Sequence, residues 1–225
     1  MKALCLSLVV VGLVAGAQGS YAQNTSDQKI PVALLKDDLR KFKSAMESSQ
    51  IGLYLYTPKD TLDQIFRRIE SSFNAPMTPV EFHRKVAPLN KYLANLHTIF
   101  WPSADYETGK ETGALRFPLD IHWSDGKMYV LRNNSSVEVL EGSVIRGING
   151  VNTGSLFRQL LDGVLRDGFN QTYPTARLSR NFSYYYDVLI GEPTVFEIEL
   201  TNPDRSEQIV QVPAITATEI KKTAR

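Results

Sequence analysis

The stretch that says most about the fold spans residues 141–150 and reads EGSVIRGING. Val144, Ile145 and Ile148 are apolar and β-branched, which favours a strand. Asn149-Gly150 follows at once, and an Asn-Gly pair is a strong signal for a tight hairpin turn. The stretch therefore predicts a strand that ends in a turn.

Further strand patterns lie on both sides of this stretch. Residues 117–123 alternate apolar and polar side chains with the period of a strand. Ser124-Asp125-Gly126 is a turn signal, so the chain is expected to return antiparallel to this strand. The predicted strands are 117–123, 128–131, 142–150, 194–201 and 207–212, the last two joined around Asn202-Pro203-Asp204.

Helical periodicity dominates the chain before residue 100. An amphipathic helix is predicted over 31–49, and a second helix opens at Pro58 with Thr57 as its cap. Thr78-Pro79-Val80-Glu81 is a capping-box pattern that opens a third helix, which Pro88 should kink. Two more helices are predicted among the strands, at 156–164 and at 174–190.

This order of elements predicts an α+β fold, with an N-terminal three-helix unit followed by a mixed α/β unit that has antiparallel hairpins. The expected domains are 31–101 for the helical unit and 114–213 for the mixed unit, with the boundary in the polar stretch 102–113. Residues 23–30 are expected to be a flexible start and 214–225 a C-terminal tail.

Composition excludes several function classes. The chain has 225 residues, of which 43% are hydrophobic and 22% charged, as in globular proteins. Its 25 Lys and Arg include Lys2, so 25 − 1 = 24 basic residues balance 24 acidic ones outside the first 22 positions. Without a basic excess, no nucleic-acid partner is expected. Cys5 is the single cysteine, so the rest of the chain has no disulfide and no thiol nucleophile.

The first 22 residues resemble a signal peptide. Lys2 supplies the positive start, Ala3 to Gly16 is an uncharged apolar run, and Ser20-Tyr21-Ala22 fits the cleavage rule. The expected mature chain begins at Gln23 and is periplasmic or secreted, with no membrane contact after leader cleavage. An uncleaved N-terminal anchor is the alternative, although the run is short for a membrane span.

The residues suited to chemistry are few. His83 and His122 lack a second ligand at metal spacing, so no metal or cofactor is expected. Ser124 and Lys127 have the spacing of some serine hydrolases, but that chemistry needs a helical turn and these residues flank a β-turn. The run Tyr184-Tyr185-Tyr186 is expected to pack in the core, with a recognition surface as the alternative.

Four stretches together resemble the N-terminal half of secreted S41-family serine peptidases, the tail-specific or C-terminal-processing proteases and their tricorn-like relatives. The resemblance covers about residues 31–213 and implies a helical cap followed by a PDZ-like unit. The four stretches are Met77–Phe82 leading to Leu93–Thr98, Phe117-Pro118-Leu119 with Asp125–Val130, Glu141–Gly150, and Arg177–Phe182.

The resemblance implies a catalytic role for His97, as the general base for a serine. Two departures from the family pattern bear on this role. Asn95-Leu96 stands where the family has Asp-Gly, so Leu96 is expected to be strained and to change the loop. The family's nucleophile lies in a domain expected after Arg225, and a base without a nucleophile cannot run acyl transfer.

Three functions are compatible with these features. The first is an exported non-catalytic module that binds unfolded or C-terminal peptide segments by strand addition. The Gly-Leu-Gly-Phe-type loop with which typical PDZ domains bind a carboxylate is not visible in the sequence. The second is a truncated or split S41 serine endopeptidase whose catalytic domain is a separate partner. The third is a structural or inhibitory protein that reuses the scaffold.

Overall fold

The computed structural model of the chain describes residues 28–98, Phe100, Pro102, 114–216 and 218–219. The predicted signal peptide 1–22 and most of the polar stretch 102–113 lie outside the described residues. The fold is α+β, as the sequence predicts, with helices followed by strands that pair antiparallel and alternate with further helices.

The N-terminal helices pack their apolar stripes together. Leu35, Leu39 and Phe42 are buried on the first helix, and Phe73 and Phe82 add aromatic contacts within the same cluster. Ile30, the last residue of the predicted flexible start, forms a β-bridge with Met77. The helices are α1 (Val32–Ser49), α2 (Lys59–Ser71), α3 (Pro79–Val86) and α4 (Leu89–Leu93).

The ends of these helices test the capping predictions. Thr78 and Glu81 form the predicted capping box at α3. Thr57 was expected to cap α2, which is wrong, because its hydroxyl donates to the Tyr92 carbonyl oxygen at 2.7 Å instead. The kink predicted at Pro88 is a full interruption between α3 and α4.

One antiparallel sheet forms the centre of the second unit, with β2-β3-β4-β6-β7 in spatial order and β5 paired to β4. A separate pair joins β1 to β8, so Ile215 and Thr216 of the predicted tail are in a strand. The strands are β1 (Leu115–Arg116), β2 (Leu119–Ser124), β3 (Lys127–Asn133), β4 (Val144–Ile148), β5 (Val151–Asn152), β6 (Val195–Thr201), β7 (Glu207–Pro213) and β8 (Ile215–Thr216).

Two turns set the register of this sheet. Asp125 and Gly126 both have positive φ, at 51° and 72°, as do Asn149 and Gly150, at 51° and 74°. A two-residue turn with both φ angles positive matches the twist of the flanking strands, so each pair closes a tight hairpin. Both turns were signalled by the sequence.

Three helices pack against the sheet: α5 (Thr153–Asp162), α6 (Thr172–Arg180) and α7 (Phe182–Leu189). The single helix predicted over 174–190 is wrong, because Asn181 breaks it with φ −122° and ψ 30°. The Asn181 side-chain amide donates to the Arg177 carbonyl oxygen at 2.9 Å and so satisfies the end of α6.

Direct contacts join the helical unit to the sheet unit. Arg84 on α3 donates two hydrogen bonds of 3.0 Å to the carbonyl oxygens of Asp187 and Val188 on α7. The buried Asn90 side chain donates to the Gly163 carbonyl oxygen at 2.8 Å. The two units have separate clusters of buried apolar side chains. The domain limits inferred from the sequence stay a prediction.

Candidate functional site

His97 lies on an exposed turn directly after α4. Its backbone N–H donates to Asn95 Oδ1 at 2.7 Å, which fixes the turn from within. The expectation that Leu96 would be strained is wrong, because the left-handed residue is Ala94, with φ 47° at the end of α4. The replacement of Asp-Gly by Asn95-Leu96 therefore does not strain Leu96, and the left-handed conformation falls on Ala94.

Three loops meet around this turn. Thr98 Oγ1 donates to Gln50 Oε1 at 3.1 Å, and the Gly168 N–H donates to the Ala94 carbonyl oxygen at 2.9 Å. Together the loops expose an apolar patch, and its members are Ile51, Leu55, Tyr56 and Phe169, with exposed fractions of 101%, 71%, 37% and 79%. The Tyr56 and Phe169 rings meet edge to face, 5.4 Å between centroids.

The catalytic role of His97 stays a prediction. Among the residues that the structure describes, no hydroxyl is hydrogen-bonded to the His97 imidazole. A general base must reach the proton that it takes, either directly or through one water. In the described structure the His97 side chain is exposed.

A second candidate site is a groove between strand β2 and helix α6. The groove has a volume of about 470 Å³. Strand β2 is one edge of the sheet, so its outer main-chain groups have no strand partner in the described chain. The groove is lined by His122, Trp123, Gln171, Thr172, Thr175, Ala176, Ser179 and Arg180.

The Ser179 side chain lines this groove and contacts the main chain of β2. The Trp123 N–H donates to Ser179 Oγ at 3.1 Å, and the same hydroxyl donates to the Ile121 carbonyl oxygen over 3.4 Å. Ile121 and Trp123 are two positions apart, so both outward groups belong to the same edge of β2. One side chain on α6 thus occupies two of the hydrogen-bonding positions that an added strand would use.

The floor of the groove is rigid and aromatic. The Trp123 ring stacks on Phe157 of α5, with 3.9 Å between centroids and planes within 6°. Phe157 is buried, so the stack anchors the end of β2 in the core. At the rim, His122 and Arg180 are exposed.

The other sequence candidates have structural roles. Tyr185 and Tyr186 are buried, which confirms core packing for the tyrosine run. Ser124 and Lys127 face each other across the β2–β3 turn, as expected, and the Ser124 hydroxyl donates to Asp125 Oδ2. His83 is buried, and desolvation lowers the pKa of its imidazole to about 4, with Arg84 adding to the effect.

The described part of the chain holds no group of three His, Cys, Asp or Glu side chains placed to bind a metal ion. Within the same residues, no helix combines the length and the apolar character that a membrane crossing requires.

The Ser179 groove was missed by sequence reasoning. Arg177–Phe182 was singled out as a family-like stretch, but nothing in it assigned a task to Ser179. The hydroxyl meets its partners across 56 and 58 positions of sequence. Only the packing of α6 on β2 brings them together, and no local pattern records that packing.

Comparison with known proteins supports the fold. No protein-family model matches the chain, and no curated protein matches it. Among solved structures, mature CPAF, a tail-specific protease of Chlamydia, matches with a TM-score of 0.54 at 11% identity. The fold therefore resembles that of CPAF. The match covers 86% of this chain and 38% of CPAF.

Two more CPAF structures agree with this match. Mature CPAF complexed with lactacystin gives a TM-score of 0.55 at 11% identity, over 86% of this chain and 38% of that one. A CPAF mutant gives 0.54 at 11% identity, over 83% and 34%. The chain thus spans less than two fifths of the length of these structures, and the likeness concerns the fold alone.

Proposed function

We propose that this chain is an exported, non-catalytic protein that binds extended peptide segments in the groove between β2 and α6. The observation that carries the proposal is the Ser179 hydroxyl, which bonds to two outward main-chain groups of an edge strand, the Trp123 N–H and the Ile121 carbonyl oxygen, beside an open groove. Unpaired edge groups are the usual attachment points for an added strand. The protease-related fold agrees with a protein that handles peptides.

Exchange of Ser179 for a peptide replaces two hydrogen bonds by two others, and α6 has to move away from β2 to admit a strand, because paired strands lie about 4.8 Å apart. A peptide carbonyl oxygen would accept from the Trp123 N–H, and a peptide N–H would donate to the Ile121 carbonyl oxygen. Each such hydrogen bond contributes about 1 kcal/mol net, much the same as the bond that it replaces. Affinity must then come from further main-chain bonds and from contact with the Trp123 face.

The groove rim favours a peptide with a free C-terminal carboxylate. Arg180 is exposed and lines the groove, and a guanidinium binds a carboxylate through two parallel hydrogen bonds. The Gly-Leu-Gly-Phe loop that serves this purpose in PDZ domains does not occur in the sequence. In this proposal the Arg180 side chain takes over that role.

A peptide-binding experiment tests the proposal. A library of unstructured peptides, each made with a free and an amidated C-terminus, is titrated against the purified protein with the Trp123 amide as the NMR probe. We expect the Ala176→Trp variant, which fills the groove, to lose binding, and Ile209→Thr on β7 to retain it. Equal binding by both variants contradicts the groove, and no binding to any peptide contradicts the function.

A matched pair of rim variants then tests the carboxylate preference. Arg180→Gln should remove the difference between free and amidated peptides, and Arg180→Lys should keep part of it. A free-carboxylate preference that survives in Arg180→Gln would place the carboxylate elsewhere.

A second function is favoured by the surface around His97. The exposed apolar patch of Ile51, Leu55, Tyr56 and Phe169 suits a protein partner, because such patches mark interaction sites. This alternative is a split serine endopeptidase in which a separate catalytic domain docks on the patch and supplies the nucleophile. Cleavage of an unfolded protein by the isolated chain and by its His97→Ala variant tests catalysis without a partner, and the non-catalytic proposal predicts none from either.

A further inference from the structure

Strand β7 forms the other edge of the sheet, and its outer main-chain groups can be identified from the register. The Asn202 N–H donates to the Ser206 carbonyl oxygen at 2.8 Å, and the Ala214 N–H donates to the Thr194 carbonyl oxygen at 2.9 Å. The pairing between these two points has no register shift. Bonded pairs alternate along an antiparallel ladder, so every second residue of β7 bonds to β6.

The remaining residues of β7 therefore point their N–H and carbonyl groups away from β6. These residues are Glu207, Ile209 and Gln211, while Pro213 has no N–H to offer. No strand pairs with this side of β7 in the described part of the chain. The outward edge thus has donors and acceptors for one more strand.

The outward residues of this edge are exposed, and few of them would prevent another strand from pairing with β7. Ile209 is 65% exposed, and no lysine interrupts the strand. Glu207 accepts from Arg146 at 2.5 Å within the chain, and the Gln211 amide donates to Glu197 Oε2 at 2.8 Å. These contacts hold both flanking side chains towards the sheet.

We propose that β7 pairs antiparallel with β7 of a second copy of this chain, about a two-fold axis at Ile209. In this register Ile209 faces Ile209 of the second copy, and Glu207 faces Gln211 on both sides of the axis. Each of the facing pairs can exchange two main-chain hydrogen bonds.

Charge and proline placement favour a second copy in this register. No like charges stand directly opposite each other, and the two apolar Ile209 side chains meet at the centre. If the register between the two copies shifts by two residues in one direction, Glu207 faces Pro213, which has no N–H to donate. If it shifts by two residues in the other direction, Glu207 faces Ile209. The strand is thus complementary to itself when it is centred on Ile209.

The contact is small, so it should form a weak dimer that becomes apparent at high protein concentration. Charge changes at position 211 test the register, because a cation there should strengthen the dimer and an anion should weaken it. Gln211→Lys places a cation opposite Glu207, and Gln211→Glu places an anion there. The two-fold axis doubles each effect, so we expect dimerisation to tighten roughly fivefold in the first variant and to weaken roughly fivefold in the second.

Sedimentation equilibrium across the micromolar to millimolar range measures these dissociation constants. Ile209→Lys, which sets two cations at the axis, should leave a folded monomer, and Ile209→Thr should still dimerise. Circular dichroism confirms that each variant is folded. A protein that stays monomeric throughout this range, or equal constants for the two Gln211 variants, overturns the proposal.

Amide hydrogen exchange identifies the surface. The Ile209 and Gln211 amides should become protected as protein concentration rises, while the Val210 amide, which already bonds within the β6–β7 hairpin, should not change. A dimer that leaves Ile209 unprotected contradicts the edge. Protection of Ile209 by an added extended peptide, with the protein still monomeric, would assign the edge to a peptide and overturn the second copy.

Discussion

The two edges of the sheet differ, because one is covered and the other is bare. At β2, the helix α6 lies alongside and the Ser179 hydroxyl engages the Trp123 N–H and the Ile121 carbonyl oxygen. At β7, the outer groups of Glu207, Ile209 and Gln211 meet no strand in the described chain. A covered edge provides a groove with walls that can select a ligand, while a bare edge offers only main-chain pairing.

The largest expected difference between the edges concerns packing. Phe157 is 2% exposed and stacks beneath Trp123, so Phe157→Ala should lower the free energy of unfolding by about 3–5 kcal/mol. Ile209→Ala on the bare edge should change it by about 0.5 kcal/mol. Urea unfolding of both variants measures the difference, and similar losses would mean that the β2 edge is not anchored as described.

Acidification should loosen the β2 side of the molecule first. His83 lines a small cavity with Asn90 and Tyr185 between the helical unit and α7, and burial lowers its pKa to about 4 from 6.5. The unfolded state binds the proton more tightly than the folded state does. The free energy of unfolding therefore has its full value above pH 6.5 and falls as the pH drops from 6.5 towards 4.

At pH 5 the loss should be about 2 kcal/mol relative to pH 7, and His83→Leu should remove this part of the pH dependence. Amide exchange at pH 5 locates the effect, which should appear in α6 and α7 before the β6–β7 hairpin. A wild-type pH dependence in the His83→Leu variant would assign the acid sensitivity to other groups.

Removing a glycine from the turn next to β2 should destabilise the protein, and introducing one into the turn next to β7 should stabilise it. Gly126 has φ 72° in the β2–β3 turn, so Gly126→Ala should cost about 1 kcal/mol. Arg205 has φ 71° in the β6–β7 turn, so Arg205→Gly should gain up to about 1 kcal/mol. Thermal unfolding compares the two, and a stabilising Gly126→Ala would contradict the turn geometry.

Local signals predicted the parts of the fold that depend on neighbouring residues. Asp125-Gly126 and Asn149-Gly150 marked their turns correctly, because positive φ angles favour those residue pairs. The capping box at Thr78 was predicted from the Thr-x-x-Glu spacing, which lets each side chain bond the other residue's backbone N–H. The break at Asn181 was missed, since apolar residues continue on both sides of it.

Long-range contacts were beyond local signals. Thr57 was expected to cap α2, but its hydroxyl donates a hydrogen bond to the carbonyl oxygen of Tyr92, 35 residues away. Ser179 carries no local signal of its role, and it contacts the edge of a strand 56 residues away. The candidate site depends on such contacts, which is why the sequence indicated peptide binding only through a family resemblance.

If Ser179 occupies the place of a peptide on β2, removal of its hydroxyl should free that place. We would measure peptide affinity and Trp123 amide exchange in the wild type, in Ser179→Ala and in Ser179→Thr, which keeps a hydroxyl. We expect Ser179→Ala to bind peptide up to about tenfold more tightly, while its free energy of unfolding falls by about 1 kcal/mol. Unchanged or weaker binding in Ser179→Ala, with a Trp123 amide that does not respond to peptide, would contradict it.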